Sequence, residues 1–290
     1  MPNSSSLAVQ DAPQLVFYSG VQNAPNDQWV PFEWVEPGLG TQVHGEITIV
    51  RQDGPCGAVT SGFWRTSASA PGATADGSHK KIVYSSPLGD ETAMIIDGTA
   101  ILTVPSTGEQ FEIGAGSVVS SPKGLEVHWE VFGPSFKKYW CIWNGTDVNP
   151  NGPTNLQITH IGDNPSDWIE YAWEEPREGH QIAGQLFFIR AAGSTGTMMS
   201  GQWRGGPGVP GAEFVDEKGD MIVAYTAPLG DETVLVLEGE VEILETESGK
   251  KHYFRAGDAF GMPSGLHTIW HWKGPFYRKL WVITRDELPA

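Results

Sequence analysis

Hydrophobic and polar positions alternate along this chain in short runs, and each run stops at turn-forming residues. Glu46 to Arg51, Lys81 to Ser85, Thr92 to Ile96, Ala100 to Val104, Ser117 to Ser120, Val127 to Phe132 and Lys138 to Trp143 all read with period two. That spacing sends successive side chains to opposite faces of a strand. Gly, Pro, Asn and Asp fill the gaps, as in Pro87-Leu88-Gly89-Asp90, and mark the turns between strands. Long amphipathic helices are hard to find. The pattern predicts an all-β chain of many short strands, closed or sandwich-like, whose barrel mouth can hold a small molecule.

The pattern also occurs twice. Ser61-Gly62-Phe63-Trp64-Arg65 returns as Ser200-Gly201-Gln202-Trp203-Arg204 at an offset of 139, which also carries Trp29 onto Trp168. Pro87-Leu88-Gly89-Asp90-Glu91-Thr92 returns unchanged as Pro228-Leu229-Gly230-Asp231-Glu232-Thr233 at an offset of 141, and that register holds from Gly98 and Gly239 to Trp140 and Trp281. Repetition at this length means two copies of one fold. Residues 1–26 are then a polar tail expected to lie on the first barrel, 27–144 the first barrel, 145–164 a linker rich in turn formers, and 165–290 the second barrel. Each copy is long enough to bury its own core.

Composition narrows the function. Thirty-six Gly, 21 Pro and 12 Trp in 290 residues suit short strands joined by many turns. A formal charge of −17 argues against a phosphate backbone or an anionic membrane as partner, because both need clustered Lys and Arg. Cys56 and Cys141 are the two cysteines, and the start Met1-Pro2-Asn3-Ser4 has no basic region followed by an apolar run. No run reaches the roughly 20 apolar residues of a membrane span. The expectation is a cytoplasmic protein whose partner is a small organic molecule.

Two motifs then carry a resemblance. Glu91-x6-Gly98 and Glu232-x6-Gly239, followed by Gly116-x5-Pro122-x-Gly124 and Gly257-x5-Pro263-x-Gly265, resemble the paired motifs of the cupins. Trp129 and Lys138, with Trp270 and Lys279, look like the subgroup related to ethanolamine-utilisation cupins and ureidoglycine aminohydrolase. The resemblance covers about four fifths of the chain. It implies two tandem double-stranded β-helix (jelly-roll) barrels of the RmlC-like superfamily, and a homodimer formed by strand and arm exchange. It also implies a divalent metal held by His-x-His, the Glu and a third His. At those positions stand Tyr84 and Ser86, or Ser85 and Pro87, with Val127; in the second copy they are Tyr225 and Ala227, or Thr226 and Pro228, with Thr268. Only the Glu is left, so no metal or other cofactor is expected, and a divalent metal would have to bind without its usual His ligands. His128, His267 and His271 lie near the third position, but alternation points them outward unless a bulge near Gly124 or Gly265 reverses the faces. His44, His79, His160, His180 and His252 lack ligand spacing and read as surface or packing residues.

Without a metal, the candidate chemistry is Glu91 with Tyr84, and Glu232 with Tyr225, as acid/base pairs. The alternative is that each Glu accepts turn hydrogen bonds and each Tyr fills space. Asp90 and Asp231 are expected to be exposed. Lys138 and Lys279 can pair with the Glu, bind substrate or form a Schiff base. Trp64, Trp129, Trp203 and Trp270 suit a flat ligand or plain core filling. Arg65 and Arg204 follow a Trp directly, so one residue of each pair lines the mouth, and both arginines stand as substrate-binding candidates. The Pro/Gly loops Thr66 to Ser78 and Gly205 to Gly219 suit lids or dimer contacts. The leading reading is an isomerase, lyase or cyclase using acid/base chemistry without a firmly bound metal. A non-catalytic binding protein and a metal-dependent hydrolase or oxygenase are the alternatives. Both copies keep the same polar set, so the sequence does not choose the active barrel.

Overall fold

A computed structural model describes residues 15–209 and 216–287. Ten strands come first: β1 (Tyr18–Val21), β2 (Val30–Glu36), β3 (Gly40–Gly54), β4 (Gly57–Thr66), β5 (His79–Tyr84), β6 (Asp90–Val104), β7 (Glu109–Gly114), β8 (Ser117–Ser121), β9 (Val127–Trp143) and β10 (Gln157–His160). The second copy gives β11 (Ile169–Glu175), β12 (Gly179–Arg190), β13 (Thr197–Gly205), β14 (Met221–Tyr225), β15 (Asp231–Glu245), β16 (Lys251–Arg255), β17 (Asp258–Met262) and β18 (Thr268–Arg285). The strands form two nine-stranded sheets, ordered β10-β8-β6-β9-β4-β3-β2 and β1-β17-β15-β18-β13-β12-β11, with β5 on β9, β7 on β6, β14 on β18 and β16 on β15. These are the two tandem all-β barrels that the repeat predicts. Among the described residues no helix is long and apolar enough to cross a membrane.

Several predicted strands turn out to be halves of longer ones. Thr92 to Ile96 and Ala100 to Val104 both lie in β6, and Val127 to Phe132 and Lys138 to Trp143 both lie in β9. The β6–β9 ladder shifts register on either side of Asp97, so the pair bends without breaking. Gly98 sits at this corner with φ +84°, and a Cβ there would lie 2.4 Å from the Ser135 carbonyl oxygen. Only glycine fits both the left-handed backbone and the close approach.

The segments flanking the first barrel are built differently from expectation. β1, inside the predicted tail, pairs antiparallel with β17 of the second barrel. β10, inside the predicted linker, pairs with β8 of the first. Each barrel edge is thereby covered by a strand from the sequence leading into the other barrel, which caps an otherwise open ladder. Deleting residues 1–21 is expected to speed amide hydrogen exchange at Asp258–Met262 and leave Ser117–Ser121 unchanged, read by mass spectrometry. Equal protection in both segments would show that β1 does not hold that edge.

Each barrel has its own core, and a third cluster joins them. Trp29, Phe63, Tyr139 and Trp143 of the first copy pack with Ile189, Met198, Leu280 and Val282 of the second. Two buried arginines 139 positions apart cross this seam in opposite directions. Arg51 donates to the Glu232 carbonyl and Thr233 Oγ1, each at 3.1 Å. Arg190 donates to Ser120 Oγ at 2.6 Å and to the Ser120 and Asn155 carbonyls at 2.7 and 3.0 Å. The expectation that Asp90 and Asp231 are exposed is therefore corrected, for both are fully buried at the seam. Asp231 lies 3.4 Å from Arg51 and accepts the Cys56 and Ser264 amides. Asp90 accepts the Lys123 and Ser194 amides and the Ser194 hydroxyl. A turn aspartate reads as solvated only if no second barrel closes over the turn.

Candidate active site in the first barrel

The first barrel encloses a cavity of about 430 Å³. In the second barrel the corresponding space is about 30 Å³. Side-chain volume accounts for the difference. Opposite Ala100 on β6 stands Val131, whereas opposite Val241 on β15 stands Trp272. Trp272 is 1 % exposed and packs on Trp203 and Trp270, with ring centroids 5.2 and 6.0 Å away. By the repeat register Phe260 replaces Val119, Phe254 replaces Ile113, Phe188 replaces Ile49 and Met199 replaces Thr60. Interiors pack to a nearly constant density, so these additions fill what the first barrel leaves open.

Glu91, at the start of β6, and Lys138, on β9, meet at the cavity wall with Nζ donating to Oε1 at 2.6 Å. They sit on adjacent strands, near enough along the ladder for a long lysine to span. The ammonium lies 4.7 Å from the Trp129 ring and 5.9 Å from the Tyr84 ring, a cation held over π faces. The buried Tyr84 hydroxyl has no hydrogen-bond partner among the described residues. Burial, then Glu91 through both its charge and its nearness to the hydroxyl, then the charge of Glu36, push the Tyr84 pKa well above the ordinary phenol value, so at neutral pH it is a donor and not a base. Trp140, on the same face as Lys138, lines the cavity with its indole N–H unpartnered. Lys138, Tyr84 and Trp140 thus all belong to the lining of one cavity, whose walls are mostly apolar and rich in aromatic rings.

The second barrel keeps the pair without the room. Lys279 donates to Glu232 Oε1 at 2.6 Å, beside Tyr225 and Trp203. Burial lowers the Lys279 pKa, with Glu232 opposing that shift. Trp270 does not line the residual space but is buried in the core and donates to Thr268 Oγ1 at 2.8 Å.

Other candidates fall elsewhere. Arg65 and Arg204 do not reach the cavities: they stack outside on Trp29 and Trp168, at 4.2 and 4.1 Å. Their partners there are Glu46 at 2.9 Å and Gln185 at 2.8 Å. Trp64 and Trp203 take the inward positions, as alternation requires of neighbours in a strand. Parity on β9 is as the pattern predicts. Val127, Trp129 and Val131 are buried, while Glu126 and Glu130 are exposed and His128 bonds Glu126 at 2.6 Å on the outer face. At the start of β18, Thr268, Trp270 and Trp272 are buried, and His271 turns to Asp220 at 3.1 Å. No group of three His, Cys, Asp or Glu is placed to hold a metal ion among the described residues. At the positions of the resemblance's ligands the first barrel has Tyr84, Ser86 and Val127 around Glu91, enclosing a void of only about 10 Å³.

The sequence pattern missed His44 and His79. His44 lines the cavity from β3, and its Nδ1 is 3.2 Å from that of His79. The loop Thr66 to Ser78 closes over this corner, with the Gly45 amide donating to the Pro71 carbonyl at 2.8 Å. In the second loop, residues 210–215 lie outside the described residues. Thirty-five residues separate the two histidines, so no local spacing could have announced them.

Two jelly-roll barrels, each with a Glu–Lys pair on its inner wall, define a double-barrel cupin. The EutQ-like cupin domain matches residues 83–144 and 217–281, one segment in each barrel, and this tandem match is consistent with a bicupin of the RmlC-like superfamily. A Pseudomonas syringae protein of unknown function from the DUF861 family is similar in structure, at 14 % identity and TM-score 0.60, over 93 % of this chain and all of that one. Protein Ylba from E. coli, also of DUF861, is 10 % identical with TM-score 0.55, over 96 % of this chain and 97 % of that one. Oxalate decarboxylase from Bacillus subtilis is 14 % identical with TM-score 0.50, over 94 % and 78 % of the two chains. At these identities the likeness is one of fold. No curated protein matches the chain in sequence.

Proposed function

We propose that the first barrel is an acid/base catalytic site of the isomerase, lyase or cyclase kind, acting on a small planar carbonyl compound without a firmly bound metal. The observation that carries this reading is the Glu91–Lys138 pair beside the unpartnered Tyr84 hydroxyl on the wall of a 430 Å³ cavity. Glu91 takes a proton from the carbon next to the carbonyl. The electron pair of that C–H bond moves to the carbonyl oxygen, where the Tyr84 O–H and a free Lys138 N–H stabilise the enolate. Return of the proton to another carbon isomerises the substrate; expulsion of a group from the adjacent carbon makes a lyase. The donor set supports working without a metal. A divalent ion needs several carboxylate or imidazole ligands, whereas here a single carboxylate already faces an ammonium, and a phenol, a serine and a valine occupy the remaining positions. The second barrel acts as a packed scaffold.

The test is solvent deuterium exchange into the methyl group of acetophenone, followed by proton NMR. Glu91→Gln keeps the shape of the side chain and removes the base, so exchange is expected to fall by about a hundredfold or more while the ligand still perturbs tryptophan fluorescence. Glu232→Gln is expected to leave exchange unchanged. Exchange in Glu91→Gln at the wild-type rate would sink the carboxylate mechanism.

A further inference from the structure

The acid/base reading uses one end of the cavity and leaves another polar corner idle. There His79, 1 % exposed, stands between two partners. Its Nδ1 is 3.2 Å from His44 Nδ1, and its Nε2 is 2.5 Å from Thr66 Oγ1. Two ring nitrogens approach this closely when one of them carries a proton and the other accepts it. Burial lowers the His44 pKa, and burial together with His44 lowers that of His79 to about 4, so both rings are neutral at pH 7. Two proton orders satisfy the chain. In one, Thr66 donates to His79 Nε2, His79 Nδ1–H donates to His44, and His44 keeps a proton on Nε2. In the other, each proton sits one place along and His44 Nε2 is a bare acceptor. His44 Nε2 makes no hydrogen bond among the described residues, and His44 lines the cavity.

The second barrel shows that this chain is not a requirement of the fold. Ala183 replaces His44, and its carbonyl still accepts the Trp203 indole at 2.8 Å, as the His44 carbonyl accepts Trp64 at 2.9 Å. Gly205 replaces Thr66. Opposite Trp272 stands Met221, where His79 stands opposite Val131. His79 reaches that inward position through a register shift between His79 and Ile82, while the corresponding ladder in the second barrel runs unbroken. The three residues of the chain and the open cavity occur together in one barrel and are lost together in the other.

We propose that His44 contacts the substrate, and that His79 and Thr66 position it and fix its proton. The cavity then takes an aromatic carbonyl compound bearing a ring hydroxyl: the carbonyl lies among Lys138, Tyr84 and Trp140, and the hydroxyl at His44. The aromatic walls of Trp34, Trp64 and Trp129 suit the ring between them. This rests on the acid/base reading for the carbonyl end alone. Whichever proton order the chain holds, a ring hydroxyl matches His44 Nε2, because a hydroxyl can both donate and accept.

Acetophenone and 4-hydroxyacetophenone, titrated by calorimetry into the intact chain, test it. The wild type is expected to bind the hydroxylated probe about tenfold more tightly, the worth of one well-placed hydrogen bond. His44→Ala should erase that preference, and His79→Ala should reduce it. His79→Gln, whose amide can bridge Thr66 and His44, should restore part of it. In long-range nitrogen NMR, His44 should show one neutral tautomer in the wild type and a mixture in His79→Ala, which a merely structural role for His79 would not produce. Equal affinity for the two probes, or an undiminished preference in His44→Ala, overturns the proposal, and failure of both probes to bind overturns the ligand class. Deuterium exchange at the probe methyl groups is read in the same samples. Lost hydroxyl preference with exchange intact therefore refutes this inference alone, and the converse refutes the acid/base reading alone.

Discussion

Arg51→Ala is expected to destabilise the chain by about 3–5 kcal/mol, the usual cost of breaking a buried ion pair from one side. The guanidinium and the Asp231 carboxylate are both fully buried, 3.4 Å apart. Arg51 also satisfies the carbonyls of Asp53 and Glu232 and the Thr233 hydroxyl. Truncation strands a carboxylate whose remaining donors are the Cys56 and Ser264 amides. Because Arg51 comes from the first barrel and Asp231 from the second, the loss falls on the seam between them. Urea unfolding followed by tryptophan fluorescence measures it. Adding Asp231→Asn to Arg51→Ala should recover part of the loss, since the stranded charge goes with it, and a double-mutant cycle isolates that coupling. A loss below about 1 kcal/mol would mean that water reaches the pair in solution.

Exchanging one residue between the barrels is expected to exchange their capacities. Val131→Trp places in the first barrel the residue that fills the second, and should abolish binding of 4-hydroxyacetophenone. Stability should change by no more than about 1–3 kcal/mol, because the indole enters existing space. Trp272→Val should cost about 3 kcal/mol through lost burial and an unfilled void, and should open a second cavity beside Glu232 and Lys279. Calorimetry and urea midpoints read both variants. Binding by Val131→Trp with unchanged affinity would show that ligand does not enter the cavity lined by Val131.

Much of this was legible before the fold. Motif spacing gave the repeat, because turns and core glycines recur at fixed positions whatever lies between them. Alternation set the faces of β9 and β18, since a strand admits only two, and so sent His128 and His271 outward. The Glu91–Lys138 pair could be anticipated from residues placed on inner faces of the same barrel. The exchange of β1 and β10 could not, because an edge strand pairs through its backbone and leaves little signature in its side chains. The burial of Asp90 and Asp231 depends on a second barrel closing over each turn, which no local reading of Gly-Asp-Glu contains.

What the sequence determined by itself is whatever local periodicity and short spacing encode: two all-β barrels, their inward faces, and the carboxylate–lysine pair repeated in each. Tertiary structure alone decided which barrel is open and what else lines it. Cavity volume depends on the summed bulk of side chains from many strands, so Val131 against Trp272 matters only once β6, β9, β15 and β18 are in place. The His44–His79–Thr66 chain likewise joins β3, β5 and the end of β4 through a single register shift. Contacts between residues far apart in the chain come into being when the sheet closes, and their energetics belong to that closure.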